Sequence, residues 1–147
     1  MKEKKNDLVL VDTGVLLKFL LGEEGKETIR ELLIKIVSGE VRGFISVVTL
    51  SELVTICIRR KKEFLIPTIL EFIHQNFTIV DTTSEVAILS GYFKAKYSKK
   101  KETLSHADSI LLACGFLYSC ILLTYDSEFD KVKDVVIQTP EKFLMGK

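Results

Sequence analysis

The stretch Leu8-Val9-Leu10-Val11-Asp12-Thr13 decides the fold. Its four apolar residues do not alternate with polar ones, so the strand they predict is buried on both faces, as strands of a parallel sheet are. The run stops on an aspartate, and in an open α/β sheet the carboxyl ends of the strands form the edge where ligands bind. A second run, Ile121-Leu122-Leu123-Thr124, leads through Tyr125 into Asp126. Two acids are therefore expected at one edge of one sheet.

Outward from these runs, the pattern alternates helix and strand. A short helix is predicted over 14–21, broken by Gly22-Glu23-Glu24-Gly25. A second follows over 26–37, with Ile29, Leu32, Leu33 and Ile36 on one face. Gly43-Phe44-Ile45 reads as a strand, and Ser46 as the N-cap of a helix reaching about Lys62. A helix over 64–76 accommodates Pro67 only in its first turn. Thr78-Ile79-Val80 is the next strand, and caps at Thr82 to Glu85 start a helix to Tyr97. After a lysine-rich loop, a helix over 104–118 precedes the strand 121–123. Then come an acidic turn, a strand at Val135-Val136-Ile137, and a short helix capped by Thr139 with Pro140 at its first position. Such alternation predicts a three-layer α/β/α sandwich with a mainly parallel sheet, residues 1–147 forming a single domain.

Composition narrows the partners. With 21 basic and 20 acidic residues the formal net charge is +1, which excludes nonspecific polyelectrolyte binding as the main activity. At 47% hydrophobic residues the chain is apolar enough to suggest surplus surface for a homodimer, through Leu16, Leu17, Phe19 and Leu20 or through Ile66, Ile69, Leu70 and Ile73. The charged segment Met1 to Asp7 and the lack of a membrane-length apolar run predict a cytoplasmic protein with neither signal peptide nor membrane span. Cys57, Cys114 and Cys120 form no C-x-x-C pair and read as reduced packing residues.

Two further acids, Glu52 and Asp108, lie inside apolar helical patterns, where a charge is costly unless compensated. Each acid has an ordinary reading: Asp12 as a helix cap, Glu52 in a surface pair, Asp108 at a helix N-terminus, Asp126 in a turn. Those unrelated roles do not predict four acids converging. A pocket of four carboxylates selects a hard cation, Mg2+ or Mn2+, and the absence of a histidine-cysteine cluster argues against zinc. Such an ion suits phosphodiester hydrolysis. Asp130 is a weaker candidate, one turn beyond Asp126. His106, within Ser105-His106-Ala107-Asp108-Ser109, cannot complete a hydrolase triad with neighbours on its own helix, and reads as a surface or pocket-rim residue. His74 reads as structural.

At these positions the sequence resembles the PIN-domain family of metal-dependent nucleases. Leu8 to Thr13 is similar to the family's opening strand and first acid, and Ile45-Ser46-Val47-Val48-Thr49-Leu50-Ser51-Glu52-Leu53 to its second strand and glutamate helix. Ala107-Asp108-Ser109-Ile110-Leu111-Leu112-Ala113 resembles the third-acid helix, and Leu122-Leu123-Thr124-Tyr125-Asp126-Ser127-Glu128-Phe129 the final strand with its threonine, aspartate and phenylalanine. The resemblance implies a metal site of Asp12, Glu52, Asp108 and Asp126, with Thr124 orienting a carboxylate or water. It implies hydrolysis of single-stranded or structured RNA to a 5′-phosphate and a 3′-hydroxyl, and the short single-domain form resembles the toxins of toxin-antitoxin pairs. An antitoxin protein would then be a partner, inserting a basic side chain into the pocket. Gly14 departs from the family, which usually has asparagine or serine there, as does Ser109 where alanine is common. Arg59, Arg60, Lys99, Lys100 and Lys101 are expected to flank the pocket and hold RNA phosphates. The alternatives are a noncatalytic PIN domain that binds RNA or a protein, and an RNA-processing nuclease. A haloacid-dehalogenase phosphatase would need a second aspartate where Gly14 stands, and a response-regulator receiver would need a lysine after its last strand.

Overall fold

The computed structural model describes residues 7–101 and 103–146; the charged segment read at residues 1–6 lies outside them. The elements in chain order are β1 (Asp7–Val11), α1 (Thr13–Leu20), α2 (Lys26–Val37), β2 (Val41–Ser46), α3 (Val47–Arg59), α4 (Ile66–Asn76), β3 (Phe77–Val80), α5 (Ser84–Tyr97), α6 (His106–Leu117), β4 (Ile121–Leu123), β5 (Ile137–Gln138) and α7 (Pro140–Met145). One-turn 3₁₀ segments precede α4 (Glu63–Leu65) and follow β4 (Ser127–Phe129).

The five strands form one sheet, ordered β3-β2-β1-β4-β5 and parallel throughout. Because successive side chains of a strand point to opposite faces, β1 feeds two cores. Val9 and Val11 join Ile29, Leu32, Leu53 and Ile73 beneath α1 to α4 and α7. Leu10 joins Phe44, Phe93, Leu112 and Leu122 beneath α5 and α6. This gives the α/β/α sandwich expected of strands apolar on both faces. At Gly43 in β2 the absence of a side chain is required, since a Cβ would stand 2.8 Å from two ring carbons of Phe77 on the neighbouring strand.

Two expectations need correction. The last strand is Ile137–Gln138 rather than 135–137, its two residues pairing with Leu122 and Leu123 of β4; Val135 instead packs into the second core. The sixth helix starts at His106, capped by Ser105, and Leu104 is fully buried outside it. Of the stripes expected at a dimer interface, Leu16, Ile69 and Ile73 belong to the first core. What remains is an apolar groove of ≈ 220 Å³ lined by Leu16, Phe19, Leu20, Ile69 and Phe72 among others.

Candidate metal centre

The parallel register places the first two residues of the site. Val11 pairs with Leu123, and the ladder runs one step further, the Asp12 amide donating to the Leu123 carbonyl at 3.1 Å. Asp12 and Thr124 thus leave adjacent strands side by side, and Thr124 Oγ1 donates to Asp12 Oδ2 at 2.7 Å. Asp12 also caps α1, its Oδ1 accepting from the Thr13 amide at 2.7 Å. The capping role and the site role therefore coexist in one side chain.

Glu52 comes from the second turn of α3, which Ser46 caps at the end of β2. Thr13 Oγ1 donates to Glu52 Oε1 at 2.9 Å. The carboxylate beside Asp12 is thus fixed by Thr13; Gly14 has open space where a Cβ would stand.

Asp108 lies in the first turn of α6, its amide donating to Ser105 Oγ at 3.1 Å. Asp126 caps the 3₁₀ turn after β4. Its amide donates to Thr124 Oγ1 at 3.0 Å, and its Oδ1 accepts from the Glu128 amide at 2.9 Å. Thr124, 3% exposed, therefore braces Asp12 and the Asp126 turn with one hydroxyl. Oxygens of Asp108, Asp126 and Glu128 all lie within 4.8 Å of one another. The sequence reading gave Glu128 no role, although its place two residues after Asp126 in a tight turn was the available signal; Thr13 was overlooked likewise.

Burial and mutual repulsion set the electrostatics. Burial raises the Asp12 carboxyl above its usual range against hydrogen bonds from Thr124 and Thr13, and the Asp126 charge adds to the rise. Burial likewise raises Glu52, opposed by Thr13 and assisted by Asp12. Asp108 is pushed up to about 6, first by burial, then by Asp12, Asp126 and Glu128, with Ser105 pulling the other way. All four expected acids are thus linked through Asp12, with Glu52 the outlying member. The ion pairs Lys35–Glu40 and Lys96–Asp134 involve none of them.

The donor set fits a hard cation, being all oxygen. Asp108, Asp126 and Glu128, whose oxygens lie within 4.8 Å of one another, would be the residues to hold it.

Two open cavities flank the Asp126 turn. One, of ≈ 480 Å³, is lined by Lys101, Thr103, Ser127, Glu128, Asp130 and Lys131. The other, of ≈ 350 Å³, has Thr124, Asp126, Asp130 and Lys142 in its wall. Of the expected RNA contacts, Lys101 lines the first cavity together with Glu128 and Asp130. Lys99 and Lys100 are exposed in the same loop. Arg59 and Arg60 lie at the far end of α3, Arg59 some 10 Å along the helix from Glu52 by the helical rise, and line neither cavity. His106 is exposed at the start of α6, and His74 Nδ1 lies 2.7 Å from the Leu70 carbonyl oxygen. Beside the site, Tyr125 donates its hydroxyl to Glu141 Oε1 of α7 at 2.7 Å, while Lys18 of α1 lies 4.5 Å from its ring centroid.

The PIN domain family matches residues 9–135. No curated protein sequence matches. Among solved structures, the fold is shared with a chain of DNA-bound VapBC from Salmonella typhimurium (19% identity, 91% of this chain and 98% of that one, TM-score 0.73). It is shared also with a toxin-antitoxin complex from Klebsiella pneumoniae (21%, 90% and 97%, TM-score 0.68). A third is Mycobacterium tuberculosis VapC20, a toxin that cleaves the sarcin-ricin loop (15%, 87% and 98%, TM-score 0.66).

Proposed function

The chain belongs to the PIN-domain family, and on that premise we propose that it is a Mg2+- or Mn2+-dependent endoribonuclease that hydrolyses phosphodiester bonds of single-stranded RNA, acting as the toxin of a toxin-antitoxin pair. The observation that carries this reading is the anchoring of Asp12 by Thr124 and the Thr13 amide beside the gathered oxygens of Asp108, Asp126 and Glu128. Asp12, Glu52, Asp108 and Asp126 would hold one or two ions, with Glu128 joining from the exposed side. A bound divalent ion supplies Lewis-acid polarisation of the phosphodiester and activation of water.

The chain's own residues contribute position and charge. Thr124 and Thr13 hold the carboxylates of Asp12 and Glu52 in one orientation, so no reorganisation is needed when substrate arrives. Half-burial of the acids strengthens their field on whatever occupies the pocket. Lys101, which lines the same cavity as Glu128, would take a neighbouring phosphate of the strand.

The toxin assignment, a cytoplasmic location and an antitoxin partner are supported by the named complexes from Salmonella and Klebsiella. Among the described residues no helix is long and apolar enough to cross a membrane. The apolar groove between α1, α2 and α4 supports a homodimer, although much of the stripe is already core.

The decisive experiment incubates purified protein with single-stranded RNA and Mg2+ or Mn2+. Cleavage is expected with either ion and none with chelator, and Asp12→Asn should slow it on the order of 10³-fold, since a lost ligand removes several kcal/mol of transition-state stabilisation. Metal-independent cleavage, or an Asp12→Asn variant as fast as the parent, would refute the reading.

A further inference from the structure

The cavity of ≈ 350 Å³ that Thr124 and Asp126 share has a wall unlike the one beside Glu128. Asp126 and Asp130 set two carboxylates there against a single ammonium, Lys142. Such a wall disfavours a phosphate and favours a neutral occupant. Tyr125 and Ile137 also line it, an aromatic and an aliphatic side chain of the kind on which nucleobases stack. The Tyr125 ring is held in place: its hydroxyl donates to Glu141 Oε1 at 2.7 Å, and Lys18 Nζ lies 4.5 Å from its centroid without lining the cavity.

Gln138 supplies a selective group. It ends β5 half-buried, and its carbonyl accepts from the amide of Thr124 at 3.1 Å, the residue whose hydroxyl braces Asp12. The Gln138 side-chain amide makes no hydrogen bond among the described residues. A primary amide offers an N–H donor beside a carbonyl acceptor, the complement of the adenine edge, where an exocyclic amine donates beside a ring nitrogen that accepts. The Asp130 carboxylate is a further acceptor in the same wall, suited to the second amine hydrogen and opposed to the carbonyl oxygens of uracil.

We propose that this cavity holds the adenine base of a nucleotide flanking the scissile phosphate, stacked on Tyr125 and read by Gln138, so that the strand is cut beside adenosine in preference to uridine. The place given to the base rests on the ribonuclease reading; the choice of base rests on the cavity wall.

The base is tested apart from cleavage. Saturation-transfer NMR on the metal-free full chain uses adenosine and uridine as probes, neutral nucleosides that the acids do not repel. Adenosine should show transfer to its base protons and uridine roughly tenfold less, and Gln138→Leu should abolish the difference. Gln138→Glu keeps the shape but offers no N–H to the ring nitrogen, and should lose the adenosine signal as well. Gln75→Leu on α4, whose amide donates to Glu71, should behave as the parent does. Equal signals from the two nucleosides, equal signals from the parent and the Gln138 variants, or the same loss in Gln75→Leu would overturn the proposal. With Mn2+ and a random-sequence RNA pool, the parent's products should be enriched roughly tenfold in adenosine at one flank of the cut, and Gln138→Leu should erase the enrichment. Cleavage with unchanged enrichment in that variant overturns the adenine pocket alone. No cleavage by the parent overturns the ribonuclease reading, and with it the place given to the base, whatever the nucleosides show.

Discussion

The two halves of the acid site are built differently. Asp12 and Glu52 are held by hydrogen bonds from residues distant in sequence or on another element: Thr124 Oγ1, 112 positions away, and Thr13 Oγ1, 39 positions from Glu52. Asp108 and Asp126 are held by their own turns, Ser105 capping one and the Glu128 amide binding the other. The first half is oriented by the sheet and cannot shift without disturbing β1 or β4. The second gathers three carboxylate oxygens within 4.8 Å, a contact that repulsion opposes. One half sets geometry, and the other holds like charges close together, an arrangement that a bound cation would relieve.

The largest effect that sharpens this contrast is on activity. Thr124→Val and Thr13→Val keep shape but remove the long-range hydrogen bonds, and each should lower metal affinity or cleavage by roughly 10- to 100-fold. Ser105→Ala, which touches only the local half, should cost about 1 kcal/mol of stability and change cleavage far less. Metal titrations and steady-state rates on the three variants check this; a larger catalytic loss in Ser105→Ala would invert the comparison.

Next in size is the response to metal. At a hundredfold excess over its dissociation constant an ion binding only the folded state adds about 2.7 kcal/mol, which for a domain of this size raises Tm by roughly 5–10 °C. The rise should shrink as pH falls through about 6, where Asp108 takes up its proton and competes with the ion. Thermal melts across pH 5 to 8, with and without Mn2+, read this out; a pH-independent shift would place the ion elsewhere.

The smallest effect concerns the metal-free fold. Asp108 has a carboxyl raised from 3.8 to about 6, so the folded state favours its neutral form. Its contribution to stability is therefore highest below pH 4, falls as pH rises from about 4 to 6, and stays unfavourable above that. Asp108→Asn should thus stabilise the metal-free protein at neutral pH. Solvent screening of a half-exposed group and the helix N-terminus's preference for an acid both reduce the gain, leaving about 1 kcal/mol, or roughly 2–4 °C in Tm. A metal-free melt showing destabilisation would mean that the oxygens do not repel as their spacing implies.

The same contrast explains what was legible in the sequence. Ser46 and Thr139 stand next to the helices they cap, and the unbroken apolar runs of β1 and β4 declare burial on both faces, so the sandwich could be read locally. The four acids were legible because each interrupts an apolar pattern. Thr13 was not, because a threonine at a helix start has ordinary local uses, and its reach to Glu52 depends on how α3 returns from β2. Glu128 sits exposed in an acidic turn, where a carboxylate contradicts nothing. The bounds of β5 were not legible because the β-branched run Val135-Val136-Ile137 does not reveal that Val135 packs into the second core while Gln138 completes the pairing with β4.

Tyr125 stands between the two residues, Thr124 and Asp126, through which the β4 exit enters the site, and it is gripped by Glu141 of α7 and covered by Lys18 of α1. The turn that carries Asp126 is therefore buckled to the first and last described helices. Fraying of α7, which anchors through Phe143, would be felt as slack in the turn, and a charge placed on α7 would be felt by the tyrosine. Anything that grips this outer helix would thus have mechanical purchase on the site without entering it.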